Sequence, residues 1–208
     1  MHIVITGANR GIGHALWSQY RAAGHDVTGT ARTDPAYVPL DVTRPADFSQ
    51  LAAALDTRPV DLLICNAGTF LDTNQSLADG YPPHMWAEMM ATNVTGVFLT
   101  IQALLPNLQI RPNSKIAILS SQMASHTRAP GGNYIYRSSK AAVLNLGRNL
   151  ATDLRDLGIS VGIYHPGWVQ TDMGGQTADI SVHTSSTGLI KRFDALGPDT
   201  SGCFETWD

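Results

Sequence analysis

A tyrosine and a lysine four residues apart, Tyr136 and Lys140 within YIYRSSKAAV, have side chains suited to proton transfer. On a helix, residues at this spacing share one face, so the phenol and the ammonium group can lie side by side. An unperturbed phenol titrates near pH ~10 and exchanges protons poorly at neutral pH, whereas a nearby cation favours the phenolate. We therefore expect Lys140 to lower the pKa of Tyr136. The neighbouring Tyr134 has only Ser138 at the same offset, and we expect it to line the substrate pocket.

Two consecutive serines, Ser120 and Ser121, follow the apolar run KIAIL. A carbonyl group that accepts hydride gains negative charge on its oxygen, and a hydroxyl donor aimed at that oxygen would stabilise this charge. Loop serines also cap turns, which is a purely structural role. The residues alone leave open which of the two serines would act.

A glycine-rich segment, TGANRGIG, joins the first apolar run to a helical pattern. Glycines at such a junction allow a sharp turn and bring backbone N–H groups and a helix N-terminus close to a diphosphate. The segment therefore predicts a nucleotide-binding loop, with candidate contacts at Gly7, Asn9, Arg10, Gly11, Ile12 and Gly13.

The end of the second apolar run bears on the choice between NAD(H) and NADP(H). An acidic residue there would bind the ribose 2′-hydroxyl of NAD. This sequence instead has Ala31 followed by Arg32, with Arg10 in the glycine loop, and two guanidinium groups can pair with a 2′-phosphate. Asp34 is the rival acid, but it lies beyond the run and before Pro35. NADP(H) is therefore the favoured cofactor.

Short apolar runs alternate with helical patterns along the whole chain. Runs without polar alternation suit strands covered on both faces, and parallel neighbours need a helical crossover. The pattern predicts one α/β domain over residues 1–208, with a doubly wound parallel sheet and a substrate loop over about 171–187. The predicted strands are 2–6, 26–31, 60–65, 115–120 and 159–165, and the predicted helices are 11–23, 45–55, 84–105 with a break near Asn93, 134–157 and 181–195.

Composition argues against several classes of protein. With 43% hydrophobic residues, 15% charged residues and a net charge of −3, nothing indicates binding to nucleic acid or to an anionic membrane. We expect no membrane span, because no apolar run approaches ~20 residues. Seven histidines lack metal-ligand spacing, so no metal site is expected. The two cysteines sit in apolar surroundings without a pairing pattern, which favours free thiols and a cytoplasmic location.

Taken in order, these motifs resemble those of the short-chain dehydrogenase/reductase family. The glycine loop matches its TGxxxGxG pattern, residues 66–68 its NAG motif and Tyr136 with Lys140 its YxxxK motif. HPGWVQTDMGG and the ending TSGCFETWD resemble the small C-factor-like and sniffer-like carbonyl reductases. The resemblance implies a single-domain Rossmann fold of about seven strands in the order 3-2-1-4-5-6-7.

The resemblance also implies a catalytic tetrad. It favours Ser121 over Ser120 as the serine that binds the substrate oxygen, and it adds Asn93, which in the family kinks its helix and holds a water that links the lysine to solvent. Further cofactor contacts would come from segments that follow the later strands: Asp41, Val42, Asn66, Ala67, Gly68, Pro166, Gly167, Val169 and Thr171. His126 and Trp168 would lie near the substrate.

The expected function is reduction of an aldehyde or ketone with NADPH, or the reverse oxidation. The alternative is an NADP(H)-binding regulatory or signalling protein with little turnover. Because the family uses the helices at 84–105 and 134–157 for subunit contacts, a homodimer or homotetramer is expected.

Overall fold

The predicted apolar runs form one parallel sheet in the computed structural model, which describes residues 1–208. The sheet has seven strands in the order β3-β2-β1-β4-β5-β6-β7, which confirms the predicted Rossmann-type order. The strands are β1 (His2–Ile5), β2 (Asp26–Ala31), β3 (Val38–Pro39), β4 (Leu62–Cys65), β5 (Lys115–Leu119), β6 (Ser160–His165) and β7 (Phe204–Thr206).

Helices cover both faces of the sheet. They are α1 (Gly11–Ala22), α2 (Asp47–Leu55), α3 (Pro83–Met90), α4 (Gly96–Leu108), α5 (Tyr134–Asp153) and α6 (Val182–Ala195). On one face, Leu51, Leu104 and Val143 bring α2, α4 and α5 into the larger core cluster. On the other face, Leu16 and Phe193 bring α1 and α6 into a second cluster. Burial on both faces explains why the central strands lack polar alternation.

The thinnest part of the sheet is β3, which has only two residues, Val38 and Pro39. Proline has no N–H to donate to a neighbouring strand, so its place at the edge of the sheet follows from its chemistry.

The predicted break near Asn93 is a π-helical turn, Ala91–Thr95, that joins α3 to α4. The three pieces form a continuous helix, Pro83–Leu108, of 26 residues that is long and apolar enough to cross a membrane by length and composition. The expectation that no apolar segment approaches this length was therefore wrong. Val97, Ile101 and Leu104 of this helix lie in the larger core cluster, as expected for a helix that covers one face of a sheet.

The segment predicted as the substrate loop, 171–187, is only partly a loop. Its last six residues belong to α6, which begins at Val182. The Ser181 hydroxyl accepts a hydrogen bond from the Thr184 N–H at 3.0 Å, and this N-cap starts the helix. The loop is therefore Thr171 to Ser181.

A glycine in the middle of α5 provides a test of the packing. A Cβ added at Gly147 would lie 2.5 Å from Ile163 Cγ1 and 3.2 Å from Ile118 Cδ1. Gly147→Val should therefore lower the free energy of unfolding by about 2–3 kcal/mol through overpacking, more than the ~1 kcal/mol that leaving glycine gains in helix propensity. Urea unfolding would measure the loss. Gly197→Val is the control, because nothing lies within 4 Å of that Cβ position, and an equal loss in both variants would refute the packing explanation.

Candidate active site

The loops at the carboxyl edge of the sheet enclose a cleft of about 480 Å³. Most of the predicted cofactor residues line it, whereas Gly13, Gly167 and Val169 do not. The sequence did not indicate some of the other lining residues, which flank strand ends and loops: Ala31, Thr33, Leu40, Thr43, Thr69, Thr92, Leu119, Asp172 and Met173. Several of these residues lie at or just after the ends of strands. The ends of the predicted strands would have suggested them, because parallel strands end at the same edge of the sheet.

The glycine loop has the conformation that a diphosphate site requires. Gly7 and Gly11 have φ values of +66° and +54°, a region that favours glycine. A Cβ at Gly13 would lie 2.2 Å from Gly7 O, so a side chain there would displace the loop. No side chain caps the N-terminus of α1, which leaves its first-turn N–H groups available to an anion. The chemistry of this loop therefore fits a dinucleotide.

Asn66 holds the glycine loop in place. Its Nδ2 donates hydrogen bonds to Thr6 O at 2.9 Å and Gly7 O at 3.0 Å. In return, Thr6 Oγ1 accepts from the N–H groups of Asn66 and Ala67 at 3.1 and 3.0 Å. These four bonds lock the end of β1 to the end of β4, so the Asn66 side chain acts on the cofactor site through the loop.

Arg32 and Asp41 both line the cleft. Arg32 is exposed and lines the cleft directly after β2. Burial pulls the pKa of Asp41 upward, but hydrogen bonds from Thr43 and the charges of Arg32 and Arg44 outweigh this and leave the pKa below its ordinary value. The carboxylate is thus ionised, with Oδ1 accepting two bonds from Thr43 at 2.7 and 2.9 Å.

Arg10 has a partner that the sequence did not reveal. Its guanidinium group forms an ion pair with the Asp172 carboxylate at 2.9 Å, between the glycine loop and the loop that follows β6. Both side chains are mostly exposed, so the pair contributes little stability. The two residues are 162 positions apart, and no local pattern could have indicated the contact.

Tyr136 and Lys140 lie on one face of α5 as predicted, with Lys140 Nζ 5.6 Å from the centre of the phenol ring. The predicted electrostatic effect is wrong for this structure. Burial raises the pKa of Tyr136 to about 12, the nearby Ser121 hydroxyl opposes the rise and the Asp72 carboxylate adds to it. Burial also lowers the pKa of Lys140 to about 8. The Lys140 ammonium group donates to Leu119 O at 3.0 Å, so it is directed at the backbone.

The two serines have different surroundings. Ser120 lines the cleft, but its hydroxyl donates to Lys140 O at 2.9 Å and so ties β5 to α5. Ser121 Oγ accepts from the Met123 N–H at 3.1 Å and lies beside Tyr136 without closing a hydrogen bond of ordinary length to it. Unlike Ser120, Ser121 donates no hydrogen bond of ordinary length.

Asn93 is buried at the π-helical turn, and its side chain is fully engaged. Its Oδ1 accepts from the Thr69 N–H at 2.8 Å, and its Nδ2 donates to Thr69 O at 2.9 Å and Ser139 Oγ at 3.0 Å. The side chain therefore connects the loop after β4 to α5, the helix that carries Tyr136.

The segment after β6 is folded back on itself. The Thr171 hydroxyl donates to Val169 O at 3.2 Å and accepts from the Gly174 N–H at 3.0 Å. Val169 is buried and pairs with Ile180. Thr171 lines the cleft, but its hydroxyl is already used within this turn.

Of the predicted substrate residues, Tyr136 lines the cleft, whereas Ser121, Tyr134, Trp168 and His126 do not. Tyr134 and Trp168 are 38% and 49% exposed, and His126 is also exposed. Tyr134 packs edge to face on Tyr81, with ring centres 5.1 Å apart. Sequence reasoning missed Phe70, whose ring stacks on Tyr136 at 4.2 Å, although an aromatic residue so soon after the NAG segment was a usable signal.

Comparisons with known proteins agree with this architecture. The family model described as short chain dehydrogenase matches residues 1–180. The protein named C-signal from Myxococcus xanthus is 38% identical over 71% of this chain and 89% of its own length. A 1-hydroxy-2-glutathionyl-2-methyl-3-butene dehydrogenase from a Rhodococcus species is 33% identical over 99% of this chain and 96% of its own length.

A solved structure extends the similarity to the fold. The NADPH-bound carbonyl reductase from chicken fatty liver superposes with a TM-score of 0.88 at 29% identity, covering 99% of this chain and 96% of that one. The fold of this chain thus recurs nearly from end to end in that structure. With the family model matching residues 1–180, the chain belongs to the short chain dehydrogenase family of oxidoreductases.

Proposed function

We propose that this protein is an NADP(H)-dependent oxidoreductase that reduces an aldehyde or ketone to an alcohol, or catalyses the reverse reaction. The observation that carries the proposal is the buried Tyr136, which faces the cleft with Lys140 and Ser121 beside it. NADPH is bound in the structure of the chicken carbonyl reductase, which supports the same cofactor here.

The cofactor would lie along the cleft. The first-turn N–H groups of α1 and the glycine loop would hold its diphosphate. Arg32 would pair with the 2′-phosphate and Asp41 would accept from the adenine amino group, while Pro166 and Thr171 would flank the nicotinamide end. Arg10 can join Arg32 only by leaving Asp172.

Bound NADPH would supply a hydride to the carbonyl carbon. Ser121 would donate a hydrogen bond to the carbonyl oxygen as negative charge builds on it. Tyr136 would transfer its phenolic proton to that oxygen, which completes the alcohol. Lys140 would hold a ribose hydroxyl. Asn93 would keep α5 and the loop after β4 in register.

A regulatory role without turnover is the second candidate, because one relative carries the name C-signal. Such a protein would need the nucleotide cleft but not a proton donor beside a free serine hydroxyl. The arrangement of Ser121 and Tyr136 therefore favours catalysis.

Replacing Tyr136 by Phe tests the proposed chemistry. Tyr136→Phe removes the proton donor and should lower kcat by about 10²–10⁴-fold while NADPH still binds. NADPH oxidation with a panel of aldehydes, ketones and quinones measures turnover, and titration calorimetry measures binding. Tyr134→Phe is the matched control and should keep kcat near that of the wild type. Equal turnover in wild type and Tyr136→Phe would contradict the role of Tyr136, and tight NADPH binding with no turnover on any carbonyl would favour the regulatory role.

Arg32 is expected to determine cofactor preference. Arg32→Ala should weaken NADPH binding by about 10–100-fold, the effect of losing a hydrogen bond to a charged group, and should change NADH binding much less. Arg44→Ala is the matched control, because both arginines act on Asp41 but only Arg32 lines the cleft. Parallel losses for NADPH and NADH in Arg32→Ala would contradict contact with a 2′-phosphate.

The ion pair between Arg10 and Asp172 should compete with the cofactor. Asp172→Asn frees Arg10 and should tighten NADPH binding by a factor of up to about 5, the range of an exposed ion pair, with no change for NADH. Asp179→Asn removes an equal charge from the same loop and should leave both affinities unchanged. Weaker NADPH binding in Asp172→Asn would show that Asp172 helps to hold the cofactor.

Small molecules are the substrates that this function requires. The cytoplasmic location and the homodimer or homotetramer stay predictions from the sequence and the family.

A further inference from the structure

Asp72, in the loop between β4 and α3, is a fully buried carboxylate that the reaction described above does not use. Its Oδ2 accepts hydrogen bonds from the N–H groups of Ile135 at 2.8 Å and Tyr136 at 3.2 Å. Its Oδ1 is buried with no hydrogen-bond partner. The carboxylate is therefore attached to the first turn of α5 at the residue that carries the phenol.

The residues that precede α5 cannot cap the helix themselves. Gly131, Gly132 and Asn133 all have positive φ values, and Asn133 makes no side-chain cap hydrogen bond. Asp72, 63 positions earlier in the chain than Ile135, supplies the acceptor instead. An anion is favoured at a helix N-terminus, and the two N–H donors add to this.

The charge of Asp72 acts on Tyr136 in surroundings that screen it poorly. The phenol ring packs in a buried apolar cluster with Met89 and Ile135 and stacks on Phe70. The titratable and polar groups that face the ring from the packed elements are few: Lys140 on α5, Ser121 after β5, Tyr81 before α3, and Asp72. Asp72 provides the one negative charge among them.

We propose that Asp72 is a positioning residue for Tyr136, whose carboxylate anchors the first turn of α5 and whose negative charge favours the protonated phenol. The proposal rests on the proposed function, in which Tyr136 is the proton donor. A phenol that keeps its proton to higher pH is suited to carbonyl reduction, because the reduced substrate must take a proton. Asp72 thus biases the site towards reduction.

The charge effect and the anchoring effect are separable by mutation. Asp72→Asn removes the charge and keeps an oxygen acceptor for the two N–H groups. Without the charge, the pKa of Tyr136 should fall by an amount on the order of one pH unit, as expected for a nearby charge in a poorly screened site. The alkaline limb of the kcat profile for reduction should shift to lower pH by the same amount, and the rise of alcohol oxidation with pH should shift likewise.

The experiment follows Tyr136 both with and without turnover. NMR titration of isotope-labelled tyrosine in the cofactor-free protein, with the Tyr136 signal identified by its loss in Tyr136→Phe, reports the phenol directly. The pH profiles of kcat in both directions report it during catalysis. Asp61→Asn is the matched control, because Asp61 also accepts a backbone N–H, from His2 at 2.6 Å, but lies at the opposite edge of the sheet. Asp61→Asn should lower the midpoint of thermal unfolding without moving the pH profile of kcat in either direction.

An acid shift of the Tyr136 signal in Asp72→Asn but not in Asp61→Asn supports the proposal. An unchanged Tyr136 titration, or a shift to higher pH, overturns it. If Asp72→Asn does not fold, Asp72→Ser, which is neutral and keeps one acceptor, gives the same comparison. Failure of the wild type to reduce any carbonyl would refute the proposed function, while the NMR titration would still decide the effect of Asp72 on Tyr136.

Discussion

Buried polar groups must find hydrogen-bond partners, and at the carboxyl edge of this sheet the partners come from distant parts of the chain. The loops that follow β1 and β4 there have free backbone groups. Asn66 supplies bonds for the glycine loop and Asn93 for the backbone of Thr69, while the Ser120 hydroxyl after β5 finds its acceptor in the carbonyl of Lys140 on α5. Each bond satisfies a polar group and also joins two elements. The contacts that hold the cleft together are therefore the ones that offset the cost of burying these polar groups.

Burial also sets the electrostatics of the site. Desolvation raises the pKa of Tyr136 and lowers that of Lys140, so burial drives both groups towards their neutral forms. The predicted effect of the Lys140 charge on the pKa of Tyr136 was wrong, because the prediction treated the two side chains without the residues that bury them. The same burial lets the charge of a single carboxylate, Asp72, act on the Tyr136 phenol, because solvent does not screen this charge as it would at the surface.

The glycine loop shapes one side of the cleft and also carries Arg10. Gly13 lets the backbone approach Gly7 O, and the left-handed geometry of Gly7 and Gly11 opens the loop towards the cleft. Arg10 lies in the same loop but pairs with Asp172. In the proposed function, the 2′-phosphate of NADP(H) would be a second possible partner for its guanidinium group. In the proposed function, the preference for NADP(H) would therefore depend on this competition as well as on the position of Arg32.

The sequence by itself determined the strand order through its family motifs, most of the cleft lining, and the pairing of Tyr136 with Lys140. These features depend on local spacing, on helix periodicity and on the rule that parallel strands end at one edge. Tertiary structure alone decided the different hydrogen-bond partners of Ser120 and Ser121, the partner of Arg10 and the capping of α5 by Asp72. Such contacts join residues far apart in the chain and depend on burial, which a sequence pattern does not measure.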